Sequence, residues 1–232
     1  MDISTNWEDT PEHHTSVNNS FAENVNSCDW LKSHRDFVEA NAFGFGERSF
    51  HWFWKLLVDE MPTDFKFLEI GIFRGQSLSF IKMLASASGR SVQRYGVTPL
   101  DSTDGHWESD YRADIERIHE EFFIPKDYEL IVGLSTDLPI IQQAFKVSPF
   151  DIVYIDGGHT EEVIDSDLKY YAPMVKRGGY LVVDDCCNDL HMKFGYFQGI
   201  QPVTDAVNEY MANNNEFEFL FNVVHIKVFK RL

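Results

Sequence analysis

The sequence predicts an α/β fold: a doubly wound, mostly parallel sheet of seven strands, with helices on both faces and a C-terminal antiparallel hairpin. Three observations carry the prediction. Short apolar runs alternate with stretches of helical periodicity from Phe65 to Val183, the pattern of βαβ units with right-handed crossovers. Glycines punctuate the joints at Gly71, Gly75, Gly89 and Gly178-Gly179, where chain reversals need them. Glu216 to Lys230 reads as two apolar strands broken near Asn222, close enough to pair as a hairpin.

At 232 residues and 44% hydrophobic content, the chain suits one α/β domain with an N-terminal extension. Residues 1–28 are rich in Asn, Ser, Thr, Glu and His and are expected to form a flexible tail, having little apolar surface to offset the entropy of ordering. His13-His14 within it reads as solvated. Residues 29–60 are expected as a helical extension or cap, and 61–232 as the sheet domain. With 20 Lys+Arg against 37 Asp+Glu, the formal charge of -17 repels phosphate backbones and anionic lipid, which argues against nucleic acid and membrane as partners. The polar start has no signal-peptide character, and no apolar run approaches the roughly 18 residues of a spanning helix. A cytoplasmic protein is expected. Cys28, Cys186 and Cys187 are odd in number, with two adjacent, which points to reduced thiols.

Taken in order, a helix over Trp30–Ala40 is broken by Gly44-Phe-Gly46, and Phe50, Phe53, Trp54, Leu57 and Val58 then recur at helical spacing. That stripe reads as core, with room to roof a pocket. Phe65 to Ile70 is the first strand, followed by a helix burying Leu78, Ile81 and Ala85. Arg94 to Thr98 is the second, leading through a polar loop with Asp101 and Asp104 into a helix with Tyr111, Ile115, Ile118 and Phe122 on one face. Tyr128 to Val132 is the third, followed by Gly133-Leu-Ser135 and a helix holding Leu138, Ile141 and Phe145. Asp151 to Ile155 is the fourth, its helix starting near Thr160, and Gly178-Gly179 turns the chain into the fifth, Tyr180 to Val183. The aperiodic stretch from Cys186 to Gly199, with Phe194, Tyr196 and Phe197, is long enough to act as an active-site lid ahead of a helix from Pro202.

The functional clues gather at strand ends. Asp151-Ile-Val-Tyr-Ile-Asp156-Gly-Gly-His159 and Asp184-Asp185 place three carboxylates and an imidazole at neighbouring strand ends, where open α/β sheets bind ligands. Glu69-x-Gly71-x-x-x-Gly75 supplies a glycine turn that lets the backbone approach a ligand and a helix N-terminus that presents free N–H groups to it. The spacing does not match the dinucleotide fingerprint Gly-x-Gly-x-x-Gly, and no Gly-Lys-Ser/Thr follows as a P-loop requires.

In this order and strand context, the Glu69-Gly71-Gly75 turn, Asp156-Gly-Gly-His159, Gly178-Gly179 and Asp184-Asp185 resemble class I S-adenosylmethionine (SAM)-dependent methyltransferases. More narrowly, they resemble the metal-dependent O-methyltransferases of macrolide sugars, the macrocin and mycinamicin type. The resemblance covers about residues 60 to 230. It implies a seven-stranded Rossmann-like sheet with an antiparallel last strand, SAM over the ends of strands one to four, Mg²⁺ or another hard divalent cation on Asp156, Asp184 and Asp185, and His159 as general base. Glu69, Gly71, Gly75 and Asp156 would border the cofactor. The acidic residue that usually holds the ribose is replaced by Thr98, so Asp101 is the substitute, and Ser135 stands at the adenine edge.

The chemistry of the residues agrees with that implication. A neutral hydroxyl is a poor nucleophile for a sulfonium methyl, and a cation on hard oxygen ligands lowers its pKa and orients it. Three converging carboxylates repel one another unless a cation joins them. His159 stands just before a helix start, whose dipole keeps imidazole neutral and able to accept a proton. Cys186 and Cys187 read as packing rather than as nucleophiles. The partner expected is a small-molecule hydroxyl acceptor, and the N-terminal segment leaves a homo-oligomer open. A nucleotide-cofactor oxidoreductase and a SAM-binding protein without catalysis are the competing readings.

Overall fold

The computed structural model of the chain describes residues 7–101, 110–191 and 195–232; Asp104 and Phe194 lie outside these. Three helices come first, α1 (Pro11–Asn26), α2 (Asp29–Asn41) and α3 (Ser49–Asp59). Then β1 (Asp64–Ile70), α4 (Gln76–Ala87), β2 (Ser91–Thr98), α5 (Tyr111–Glu121), β3 (Tyr128–Val132), α6 (Leu138–Val147), β4 (Phe150–Ile155), α7 (Glu161–Tyr171), β5 (Val175–Val183), α8 (Gln201–Ala212), β6 (Phe217–Val223) and β7 (Ile226–Arg231) follow. The strands form one sheet in the order β3-β2-β1-β4-β5-β7-β6. All neighbours from β3 to β5 run parallel, and β7 enters antiparallel between β5 and β6.

Both faces of the central strands are buried, which explains their continuous apolar runs. Phe65, Phe67, Ile152, Tyr154 and Val182 face a core shared with α3 and α4, where Phe53, Trp54, Leu57, Phe80, Ile81 and Leu84 pack. The alternate residues Leu68, Ile70, Val153, Ile155, Leu181 and Val183 face a second core built with α6, α7 and α8. The period of two assigns successive side chains to opposite layers.

Residues 11–26, expected to belong to a flexible tail, form α1. Thr10 caps it, its hydroxyl accepting from the His13 N–H at 3.2 Å, and Pro11 occupies the first turn, a combination that starts helices. Phe21 and Val25 enter the first core, and Asn18 and His14 complete the buried stripe one and two turns earlier. His14 is therefore not solvated: its Nε2 lies 2.8 Å from Asp9 Oδ1.

Three smaller expectations also change. On α6 the buried residues are Ile140, Ile141 and Ala144, whereas Leu138 and Phe145 face outward. Gly178-Gly179 lies within β5, where the register with β4 jumps from Phe150↔Val175 to Ile152↔Tyr180. The hairpin turns at Val224-His225, two residues beyond Asn222, with Val224 in the left-handed region at φ 51°.

Candidate active site

At the end of β1, Glu69 is buried, and burial pushes its carboxyl up to about 8 while Ser77 pulls the other way. Among the described residues its Oε2 has no hydrogen-bond partner. Gly71 takes φ 95°, and a Cβ there would lie 2.0 Å from the carbonyl oxygen of Asp156. The glycine thus lets β1 and β4 end side by side. Gly75, at φ 83°, caps α4. The α2–α3 connection folds over this turn: the Arg74 guanidinium donates to the Ala42 carbonyl at 2.9 Å, and Phe45 stacks on Phe73 at 5.2 Å.

The parallel pairing Ile155↔Val183 brings Asp156 and Asp184 to adjacent strand ends. Tyr154, buried two residues before Asp156, places its hydroxyl 3.0 Å from Asp156 Oδ2 and 2.6 Å from Asp184 Oδ2. His159 Nε2 lies 3.0 Å from Asp185 Oδ2. From the β6–β7 turn, His225 Nδ1 reaches Asp184 Oδ1 at 2.6 Å and Asp185 Oδ1 at 3.2 Å. Among the described residues, donor atoms close enough to share an ion fall into two groups, Asp156-His159-Asp185 and Asp184-Asp185-His225. Asp185 belongs to both, while Asp156 and Asp184 are joined through Tyr154.

Charge accounts for the protonation pattern. Burial, then Asp184, Asp185 and Glu69, push the Asp156 carboxyl well above the usual range. Burial would raise Asp185 too, but hydrogen bonds from His159 and His225 hold it well below the ordinary carboxylate value. Burial would depress His225, yet Asp184 and Asp185 overcome this and raise it to about 10. Asp185 sits at φ 56°, an unfavourable conformation for a non-glycine residue. Its neighbours hold it there: the Ile200 N–H donates to its carbonyl at 2.8 Å, and the Cys186 N–H donates to the His225 carbonyl at 3.0 Å. Such over-determined strain is a feature of functional sites. Cys186 and Cys187 are buried behind it.

A family model described as "Methyltransferase domain" matches residues 68–186, a span that begins inside β1 and ends just past the acid pair. The chain belongs to this methyltransferase-domain family. Among curated proteins, uncharacterized protein R132 of Acanthamoeba polyphaga mimivirus is 27% identical over 157 residues, a match spanning 64% of this chain and 64% of that relative's length. Among solved structures, the S-adenosylhomocysteine (SAH)-bound methyltransferase PaMTH1 of Podospora anserina aligns with TM-score 0.60 at 13% identity, covering 88% of each chain. The mycinamycin-pathway methyltransferase MycE, in complex with Mg, SAH and mycinamycin VI, aligns with TM-score 0.54 at 18% identity over 82% of this chain and 50% of that one. At these identities the likenesses establish the fold.

Within this methyltransferase domain, Asp156, His159, Asp184 and Asp185 do converge. Other expected contacts stay apart from them. Thr98 is buried, its hydroxyl donating to the Ile72 carbonyl at 3.0 Å and accepting from the Leu100 N–H at 3.0 Å. Asp101 is exposed three residues further on, and among the described residues no hydrogen bond or ion pair joins it to the cluster. Ser135 is half-buried on the β3–α6 connection, where its carbonyl accepts from the Tyr171 hydroxyl at 2.9 Å. Two residues were not anticipated, Tyr154 and His225. Tyr154 shares the strand face of Asp156 by the period of two, a signal visible in the sequence. His225 interrupts an apolar run, but only the position of the turn shows where it points.

Proposed function

We propose that this domain transfers the methyl group of SAM to a hydroxyl of a small molecule, a sugar or natural-product acceptor, at a site where Asp156, Asp184 and Asp185 hold a divalent cation and His159 is the general base. The observation that carries the reading is the His159–Asp185 contact of 3.0 Å, which puts a base and the acid pair at one mouth. The residues fit both groups. Glu69 is a buried carboxyl with an unpartnered oxygen beside the glycine turn, suited to a cofactor that carries positive charge. Asp156 is crowded by Asp184, Asp185 and Glu69, a set of hard oxygen donors that a cation would relieve.

SAM supplies the electrophilic methyl, and Mg²⁺ or a similar ion would lower the pKa of the acceptor hydroxyl. His159 donates Nε2–H to Asp185, a tautomer that puts the accepting lone pair on Nδ1. The acceptor's proton would move there. Asp185 then stabilises the imidazolium, as a carboxylate orients the histidine of a catalytic dyad. The His159 side chain is half exposed, so a substrate reaches it without rearrangement of the core. Phe197, exposed 5.1 Å from His225, gives the mouth an aromatic edge suited to sugar faces or apolar rings.

Saturating SAH should raise the melting temperature, by linkage equivalent to about 2.7 kcal/mol at one hundred times Kd. Methyl transfer from labelled SAM to a panel of sugar and polyketide hydroxyls should be lost in His159→Ala and in EDTA, with SAH binding retained. No thermal shift with SAH would remove the cofactor, and full turnover in EDTA would remove the cation. Retained binding with no turnover on any acceptor would favour a SAM-binding protein without catalysis.

A further inference from the structure

His225 plays no part in the reaction just described, yet its Nδ1 is aimed at the acid pair. It stands on the tight β6–β7 turn, where a histidine would ordinarily face water, but here it is buried. The left-handed Val224 turns the chain inward. The imidazole is clamped edge-to-face between Phe50 and Phe197, with interplanar angles of 71° to both rings. Its backbone carbonyl accepts from the Cys186 N–H, which couples the turn to the strand end that carries the acid pair.

We infer that His225 Nδ1 is a further, nitrogen ligand of the active-site cation beside Asp184 and Asp185, and that this ion is a first-row transition dication in preference to Mg²⁺. The inference rests on the cation proposed above and names its class. Donor atoms of these three residues lie close enough together to meet one ion. The three residues are also buried together: Asp184, Asp185 and His225 all lie below a tenth of their full exposure, so an ion among them would exchange little with bulk water.

The donor set decides which ion. Mg²⁺ asks for near-octahedral oxygen ligation and is seldom held by imidazole. Mn²⁺, Fe²⁺, Co²⁺ and Zn²⁺ accept imidazole nitrogen together with carboxylate oxygen, with affinity rising along the series. Asp185 serves both sides of the site, because Oδ1 faces His225 and Oδ2 faces His159. An ion on the His225 side therefore leaves the base beside it and outside its ligand set.

The test uses the full chain and manganese chloride, followed by electron paramagnetic resonance and by competition with magnesium chloride. The wild type should bind Mn²⁺ more tightly than Mg²⁺, and the bound Mn²⁺ should show nitrogen hyperfine modulation that shifts on ¹⁵N-histidine labelling. His159→Gln should keep that modulation. His225→Gln should abolish it and weaken Mn²⁺ by at least about tenfold, the lower end of what loss of an outer-shell partner costs. Should His225→Gln fail to fold, the labelled wild type and His159→Gln still decide. Bound Mn²⁺ with no nitrogen coupling, coupling lost in His159→Gln, or tighter binding of Mg²⁺ would overturn the inference while sparing the acid-held cation. Failure of both ions to bind would overturn the two together.

Discussion

The Tyr154 hydroxyl lies within hydrogen-bond distance of both Asp156 and Asp184, at 3.0 and 2.6 Å, so a single phenol spans the ends of β4 and β5. Burial, Asp156 and Asp184 all push its own ionisation up, so it remains a proton donor throughout the physiological range. It has one proton to share between two carboxylates. Tyr154→Phe removes a bond to a charged group, worth about 1.5–3 kcal/mol, and leaves the acids to repel. The expected outcome is weaker divalent-cation binding by calorimetry with little change in SAH affinity. Unchanged cation affinity would mean that the strands alone position the acids.

Glu69 makes the apoprotein sensitive to pH in an unusual direction. Its folded value of about 8 lies above the ordinary 4.5, so between these values the folded state binds a proton that the unfolded state has released. Stability therefore falls as pH rises through that window. Glu69→Gln should raise the melting temperature at pH 8, by on the order of 1–3 kcal/mol for a buried carboxylate relieved of its charge, and should do nothing at pH 4. The same substitution should weaken SAM binding. Equal gains at both pH values would show that shape, not charge, is responsible.

The N-terminal helix, absent from the expected architecture, should prove integral to the fold. Phe21 and Val25 are in the same buried cluster as Phe53 and Trp54. The N-terminal approach to α1 also reaches the segment after the acid pair: Asp9 accepts from the His191 N–H at 2.8 Å and contacts its Nδ1 at 3.0 Å. Phe21→Ala should cost about 3–5 kcal/mol in urea denaturation, the usual penalty for a large core aromatic. A cost below 1 kcal/mol would restore the tail as a dispensable segment.

Where the sequence was legible, local pattern and topology agreed. The strand from Phe67 to Ile70 is apolar on both faces except at Glu69, and parallel neighbours in register carry Asp156 and Asp184 together. Four candidate residues could therefore be brought together from strand ends alone. Where it was not, the deciding fact was non-local. α1 shows few apolar residues because His14 and Asn18 occupy half of its buried stripe. α6 has two apolar faces, and only the crossover decides that Ile140 and Ile141 face the sheet while Phe145 does not. His225 meets the acids because β7 inserts beside β5 and the turn falls two residues later than the break read from Asn222.

Thr98 stands at the end of β2, where the resemblance to class I methyltransferases would put an acid holding the SAM ribose. Its hydroxyl uses both hydrogen-bonding roles locally, donating to Ile72 in the β1–α4 turn and accepting from Leu100. It thereby ties the segment after β2 to the glycine turn, while Leu100 takes φ 59°, a strained value for a branched residue. An acid here would be a buried charge without a partner. Thr98→Val keeps the shape but orphans a carbonyl and an N–H, at about 1–3 kcal/mol each at most. The expected result is lower stability and weaker SAH binding together, with Thr98→Ser restoring both. Thr98→Asp should destabilise further and bind SAH no better; tighter SAH binding by that variant would instead show that the segment can re-form around an acid that holds the ribose.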